Sequence, residues 1–164
     1  MRIFRNSLFA LFLLALPDFA AGGFHLSSPD FADGASIPAR FTCQGENTPP
    51  TLAIAGVPSG ARSMVLIVDD PDAPSGTFTH WLVWNIRPDS KRVFATSGPQ
   101  GTNDFGSVGY SGPCPPSGTH RYFFRLSALN TILNLPAGAS RKEVDAAIGG
   151  HGLATATLMG RYSR

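Results

Sequence analysis

Cysteine is scarce in this chain of 164 residues: there are two, Cys43 and Cys114. Neither has a second Cys or a His at the short spacings of zinc sites, which excludes a cysteine-based metal motif. Charge is sparse as well, at 15% of residues, with 13 Lys and Arg against 11 Asp and Glu. So small an excess gives no long-range attraction to nucleic acid or anionic membranes. Any anion the protein holds must be held by local geometry. After the first two dozen residues, no run approaches the roughly 20 apolar residues that span a bilayer, which excludes stable membrane insertion. Motifs for an activated nucleophile are missing too. Gly109-Tyr110-Ser111-Gly112 runs into Pro113 and so lacks the closing Gly of a nucleophile elbow. Asp70-Pro71-Asp72 lacks the later ligands of a calcium loop. Asp104-Phe105-Gly106 and His120-Arg121 stand in the wrong order for a kinase. No catalytic residue and no cofactor is assigned, and a hydrolase using His80 or His120 as general base is the weakest of the functional readings.

What is present begins with a leader. Arg2 and Arg5 precede the apolar run Leu8 to Leu16, and Ala20-Ala21-Gly22 supplies small residues for cleavage, the pattern of a secretory signal over residues 1–22. Removing it takes away Arg2, Arg5 and Asp18. That leaves one domain, 23–164, with 11 basic and 10 acidic residues. The expected location is periplasmic or secreted. An oxidising compartment permits a Cys43–Cys114 disulfide, but the sequence equally allows two buried thiols.

Eighteen glycines and 14 prolines are spread along the chain and cut it into short segments, with no linker or repeat. Stretches 24–28, 51–57, 63–70, 78–87, 120–129 and 151–159 are rich in apolar or β-branched residues between turn formers, which predicts strands. Ser140-Arg141-Lys142-Glu143 is a capping box that opens a short helix to about Ile148, closed by Gly149-Gly150. The expected fold is mostly β, a sandwich of antiparallel sheets with one or two short helices.

Side chains alternate along a strand, so Met64, Leu66, Val68 and Asp70 share one face of the third segment. Phe78, His80, Leu82, Trp84 and Ile86 share a face of the fourth, with Trp81 on the opposite side from Trp84. His120, Tyr122, Phe124, Leu126 and Ala128 share a face of the fifth. Each apolar face thus ends in one polar group. An antiparallel hairpin would bring Asp70 near His80, and the stretch GYSGPCPPSGTH, 109–120, would aim His120 at the same place. Gly112-Pro113 offers a stiff edge where backbone N–H groups could approach a ligand. The expected pocket is Asp70, His80, His120 and Tyr122, edged by Gly112 and Pro113. Imidazoles, a phenol and amides donate to oxygen, which suits a small phosphorylated or anionic group. Asp70 would select a protonated phosphate or a neighbouring ammonium. Arg121 should point away and pair with an acidic residue such as Asp72. His151 opens the last strand as the other histidines open theirs, but a metal set of Asp70, His80, His120 and His151 has spacings too irregular for a known motif.

The ordered series Asp69-Asp70-Pro71-Asp72-Ala73-Pro74, His80-Trp81, Asn103-Asp104-Phe105-Gly106, Gly109 to Pro116, His120-Arg121-Tyr122 and Gly150-His151-Gly152-Leu153-Ala154 resembles the phosphatidylethanolamine-binding protein family, also called the Raf kinase inhibitor-like family, in its bacterial branch. The resemblance implies a Greek-key sandwich and a pocket for phosphate or phosphoethanolamine-like groups at Asp70, His80, Gly112, Pro113, His120 and Tyr122. The resulting expectation is an exported, non-enzymatic binding protein. The alternative is an interaction module that inhibits a protease or kinase-like partner through the same pocket. Ser127 departs from the Tyr common after the His-Arg-Tyr strand, and the 117–120 loop is short, which bears on access to the pocket.

Overall fold

A computed structural model describes residues 23–164; the signal sequence expected over 1–22 lies outside the described residues. The strands are β1 His25–Ser27, β2 Leu52–Ala55, β3 Ser63–Asp70, β4 Phe78–Ile86, β5 Arg92–Val93, β6 Thr119–Leu129 and β7 Gly152–Ser163. Among the described residues one helix, α1 Arg141–Ile148, and one 3-10 turn, Ala39–Phe41, accompany them. The strands form two antiparallel sheets, ordered β1-β2-β5 and β4-β3-β6-β7. After the β3–β4 hairpin the chain passes through the small sheet, then returns to lay β6 against the free side of β3. That long return is the connection a Greek key requires.

The sandwich exists because each sheet has an apolar face to hide. Leu26, Leu52, Ile54 and Val93 of the small sheet meet Met64, Leu66, Val68, Trp81, Tyr122, Phe124 and Leu126 of the large one in the main core. The back of the large sheet carries a second cluster, in which Val65, Leu82, Trp84 and Leu129 are covered by Leu133 and Ala139 of the connection after β6 and by Val144 of α1. Trp81 and Trp84 therefore do lie on opposite faces. The helix begins where its capping box predicts: Glu143 N–H donates to the Ser140 hydroxyl, and the Glu143 carboxylate accepts from Ser140 N–H at 2.7 Å.

Besides β5, which lies in none of the expected stretches, two elements depart from expectation. The last strand runs past Met159 to Ser163, because segment 34–37 pairs along it, with Ile37 N–H donating to Arg161 O at 2.7 Å. Gly160 permits that crossing, since a Cβ there would collide with Ile37 and Phe31. Strict alternation also fails in β4. Asp70 pairs with Phe78 but Val68 pairs with Trp81, so β4 carries an extra residue there, and a second irregularity falls between Trp84 and Ile86. Trp81, Val83 and Ile86 consequently face the main core while Leu82 and Trp84 face the helix. Asn85, at φ +55°, takes up the second irregularity, and its side chain donates to and accepts from Leu133 backbone at 2.9 and 2.8 Å.

Candidate functional site

The extra residue in β4 is in the segment that carries His80. Instead of lying on the face shared by Leu82 and Trp84, the imidazole packs edge-on against Tyr122 of the main core, with ring centroids 5.2 Å apart. Bulges commonly re-aim side chains next to functional sites. The backbone freed by the bulge is taken up by loop 103–111. Ser111 N–H donates to His80 O at 3.1 Å and Asp104 N–H to Thr79 O at 2.9 Å. Asn103, 2% exposed, organises that loop from within. Its Nδ2 donates to Gly109 O and Ser111 Oγ, and its Oδ1 accepts from the Phe105 and Ser107 amides.

Asp70 ends β3 at 3% exposure, and both its oxygens are engaged. Oδ2 accepts from His120 Nδ1 at 2.7 Å, and Oδ1 accepts from Asp72 N–H at 2.8 Å, an Asx turn around Pro71. The direct partner of the carboxylate is thus His120 of β6, while His80 donates its Nδ1–H to Ser111 O at 2.7 Å. A carbonyl can only accept, so this bond fixes the neutral tautomer of His80 and leaves Nε2 with a lone pair. Burial pushes the His80 pKa below the usual imidazole value, against the opposing pull of the Ser111 carbonyl and the Asp70 charge. Tyr122 is fully buried, and its hydroxyl has no hydrogen-bond partner among the described residues. Burial pushes the phenol up, and the nearby Asp70 charge adds to the effect without a bond of proper geometry.

A cavity of about 160 Å³ opens over this cluster between loops 73–75 and 114–116. Asp70 and His80 form its polar end, and Phe78, Phe105, Pro74 and Pro116 its apolar walls. His120 and Tyr122 stand behind those two residues rather than on the wall. His120 is 7% exposed, and its Nε2 has no protein partner among the described residues.

Gly112 and Pro113 hold the rim in a manner the sequence does not predict. The Gly112 amide is not free for a ligand, because it donates to Asn47 Oδ1 at 2.8 Å. The space a side chain would take there is filled by Phe41 O and Thr42 of the facing segment rather than kept open. Pro113 is buried, and its carbonyl accepts from Cys43 N–H at 3.1 Å. Beside it Cys43 and Cys114 are bonded, with Cα atoms 5.4 Å apart, which settles the alternative between bridge and thiols. Arg121 points away as expected and grips Asp72 with Nε and Nη2 at 2.9 and 2.7 Å, holding that carboxyl down to about 2. His151 is remote: it pairs with Asn130 near the start of β7, at the end of the sheet opposite His120, which separates the alternative metal set. Among the described residues no cluster of His, Cys, Asp and Glu could hold a metal ion, and no helix is long and apolar enough to cross a membrane.

Sequence reasoning missed Asn47, Phe78, Asn103 and Phe105 as parts of the site. Asn103 and Phe105 stood in a quoted motif without a role. Asn47 carried only the weak signal of an Asn in a Gly- and Pro-rich loop.

A two-sheet β sandwich whose mouth gathers a carboxylate, two histidines and a phenol defines a small-pocket binding fold. The family model described as phosphatidylethanolamine-binding protein matches residues 27–163, and the chain belongs to that family. A UPF0098 protein of Methanothermobacter thermautotrophicus is 50% identical over 149 residues, covering 85% of this chain and 99% of its own. One from Aquifex aeolicus is 47% identical, covering 89% and 93%. Among solved structures, a Chlamydia trachomatis protein described as a homologue of phosphatidylethanolamine-binding protein superposes with TM-score 0.83 at 38% identity, covering 87% of this chain and 98% of its own. YbcL of E. coli, described as a new member of the mammalian family, gives 0.81 at 31%, covering 87% and 99%.

Proposed function

We propose that the protein is an exported, non-enzymatic binding protein that holds a phosphorylated or otherwise anionic small group in the cavity whose polar end is Asp70 and His80, backed by His120 and Tyr122. The observation that carries this reading is the hydrogen-bond pattern of the cluster. Both histidines direct Nδ1 at protein acceptors, Ser111 O and Asp70 Oδ2, which leaves each Nε2 without a protein partner among the described residues, an acceptor on a neutral ring and a donor on a charged one. Tyr122 holds an unspent O–H beside them. In its neutral form the site accepts more than it donates. It suits a phosphate that still carries a proton, or an ammonium beside a phosphate as in phosphoethanolamine. A fully ionised phosphate enters only as an imidazole takes up a proton. Export is supported by the 1–22 leader pattern and by the disulfide, which persists in oxidising compartments.

The test is calorimetric titration with phosphate and with phosphoethanolamine at about pH 5.5 and about pH 7.5, where imidazole protonation differs. The expected result is tighter phosphate binding and proton uptake at the lower pH, abolished in His80→Ala and weakened in His120→Ala. Absence of heat with either ligand at both pH values refutes the reading and favours an interaction module that needs a protein partner. Turnover of phosphomonoesters that is lost in His120→Ala would overturn the non-enzymatic part.

A further inference from the structure

The polar cavity does not stand alone. A second depression, of about 250 Å³, adjoins it and is lined by Cys43, Asn47, Phe105, Ser111, Gly112 and Cys114. Phe105 and Cys114 line both, so the two depressions are neighbours across those residues. The Phe105 ring is half exposed and meets Phe78 at 4.7 Å and His80 at 5.5 Å in T-shaped pairs. The first compartment, at about 160 Å³, is well below the roughly 300–1,000 Å³ of sites that enclose a larger organic ligand. It takes a head group and no more.

The second compartment has different chemistry. Its surface is largely apolar, formed by the aromatic ring and the disulfide, with a few polar groups at fixed places. Asn47 spends Oδ1 on the Gly112 amide, and its Nδ2 has no protein partner among the described residues. Ser111 Oγ accepts from Asn103 Nδ2 at 3.0 Å, which leaves its own O–H to donate. No charged side chain lines the compartment. An apolar face with a few uncharged hydrogen-bonding groups matches a polyol, whose C–H faces pack on rings while its hydroxyls reach the polar tips.

Resting on the anion reading of the first compartment, we infer that the ligand is the phosphate monoester of a polyol. Its phosphate is held at Asp70 and His80, and its hydroxylated carbons cross Phe105 into the compartment of Asn47 and Ser111. Free phosphate would leave that second compartment unused, and phosphoethanolamine would bring a charged ammonium to a compartment lined by no charged side chain.

The experiment is competitive calorimetry on the protein with inorganic phosphate, phosphoethanolamine and glycerol 3-phosphate, repeated with Ser111→Ala. That variant removes only the hydroxyl on the second compartment; the Ser111 carbonyl that accepts from His80 and the Asn103–Gly109 bond that holds the loop remain. Glycerol 3-phosphate should bind at least about tenfold tighter than inorganic phosphate. Ser111→Ala should narrow that advantage, with inorganic phosphate as the reference. Equal affinity for the three ligands, or an advantage untouched by Ser111→Ala, overturns the inference and leaves the anion reading standing. Failure of every phosphate to bind removes both.

Discussion

His80 is the residue whose chemistry is most open to measurement. Its folded pKa lies below the unfolded value of about 6.5 because burial disfavours the cation. On acidification the unfolded chain therefore takes up a proton first. Its contribution to stability is complete above about pH 6.5 and is lost as pH falls toward the folded value. An imidazole NMR titration should find one histidine titrating below the exposed ones. Added phosphate should raise that value, and a His80 that titrates normally and ignores phosphate contradicts the assignment. Tyr122 offers the complementary test. Its hydroxyl is buried without a partner, so Tyr122→Phe removes an unsatisfied group and should leave the urea midpoint unchanged or raise stability by about 1 kcal/mol. The same change should weaken anion binding. Weakened stability with unchanged binding would mark Tyr122 as an ordinary core residue.

At the scale of elements, the bulge in β4 is held from both sides. Loop 103–111 occupies one side, and on the other Arg141, the first residue of α1, donates to Asp69 at 2.5 Å beside Arg125 at 2.9 Å. Asp69 is 2% exposed, and burial pushes its carboxyl up against the pull of the two guanidinium groups. Arg141→Ala leaves that buried carboxylate with one partner and should cost about 2 kcal/mol, less than a fully buried pair because Arg141 is itself partly exposed. Thermal denaturation checks the cost, and Asp69→Asn in the same chain should restore part of it. Asp69 also shows what the sequence makes legible. Six strands, the capping box and the inward face of β6 follow from period-two patterning and turn chemistry. The partner of Asp69 does not, because it arrives from a helix 72 residues along the chain. Alternation placed Phe78 and His80 correctly against Asp70, yet misassigned Leu82 and Trp84, because a one-residue bulge reverses the faces beyond it until the second irregularity restores them at Ile86, and neither leaves a composition signal. The two-residue β5 is too short to carry any pattern.

Across the whole molecule, the disulfide is the strongest single constraint on the pocket rim. It closes a separation of 71 residues, for which chain entropy predicts a contribution of about 4 kcal/mol. Reduction should lower the urea midpoint accordingly. If the midpoint is unmoved, the hydrogen bonds from Cys43 N–H, Gly112 N–H and the Tyr110 hydroxyl already hold the rim without it. Asp70, His80 and His120 were legible as neighbours because each lies at the end of an apolar strand face, and Tyr122 because it follows His120 on the same face. The rim was not, since its geometry depends on the facing 41–47 segment, which shares no pattern with it.

The bond between Cys43 and Cys114 also draws a covalent ring through the sequence, with β2 through β5 inside it and β6, α1 and β7 outside. Asp70 and His80 belong to the ring; His120 and Tyr122 belong to the tail. A protease that cuts the exposed loop near Ser75 and Gly76 would therefore open the ring without releasing a fragment. The nicked protein would run as one species until a reductant is added. Such a cut would leave Asp70 on one piece and His80, His120 and Tyr122 on the other, tethered and able to close again.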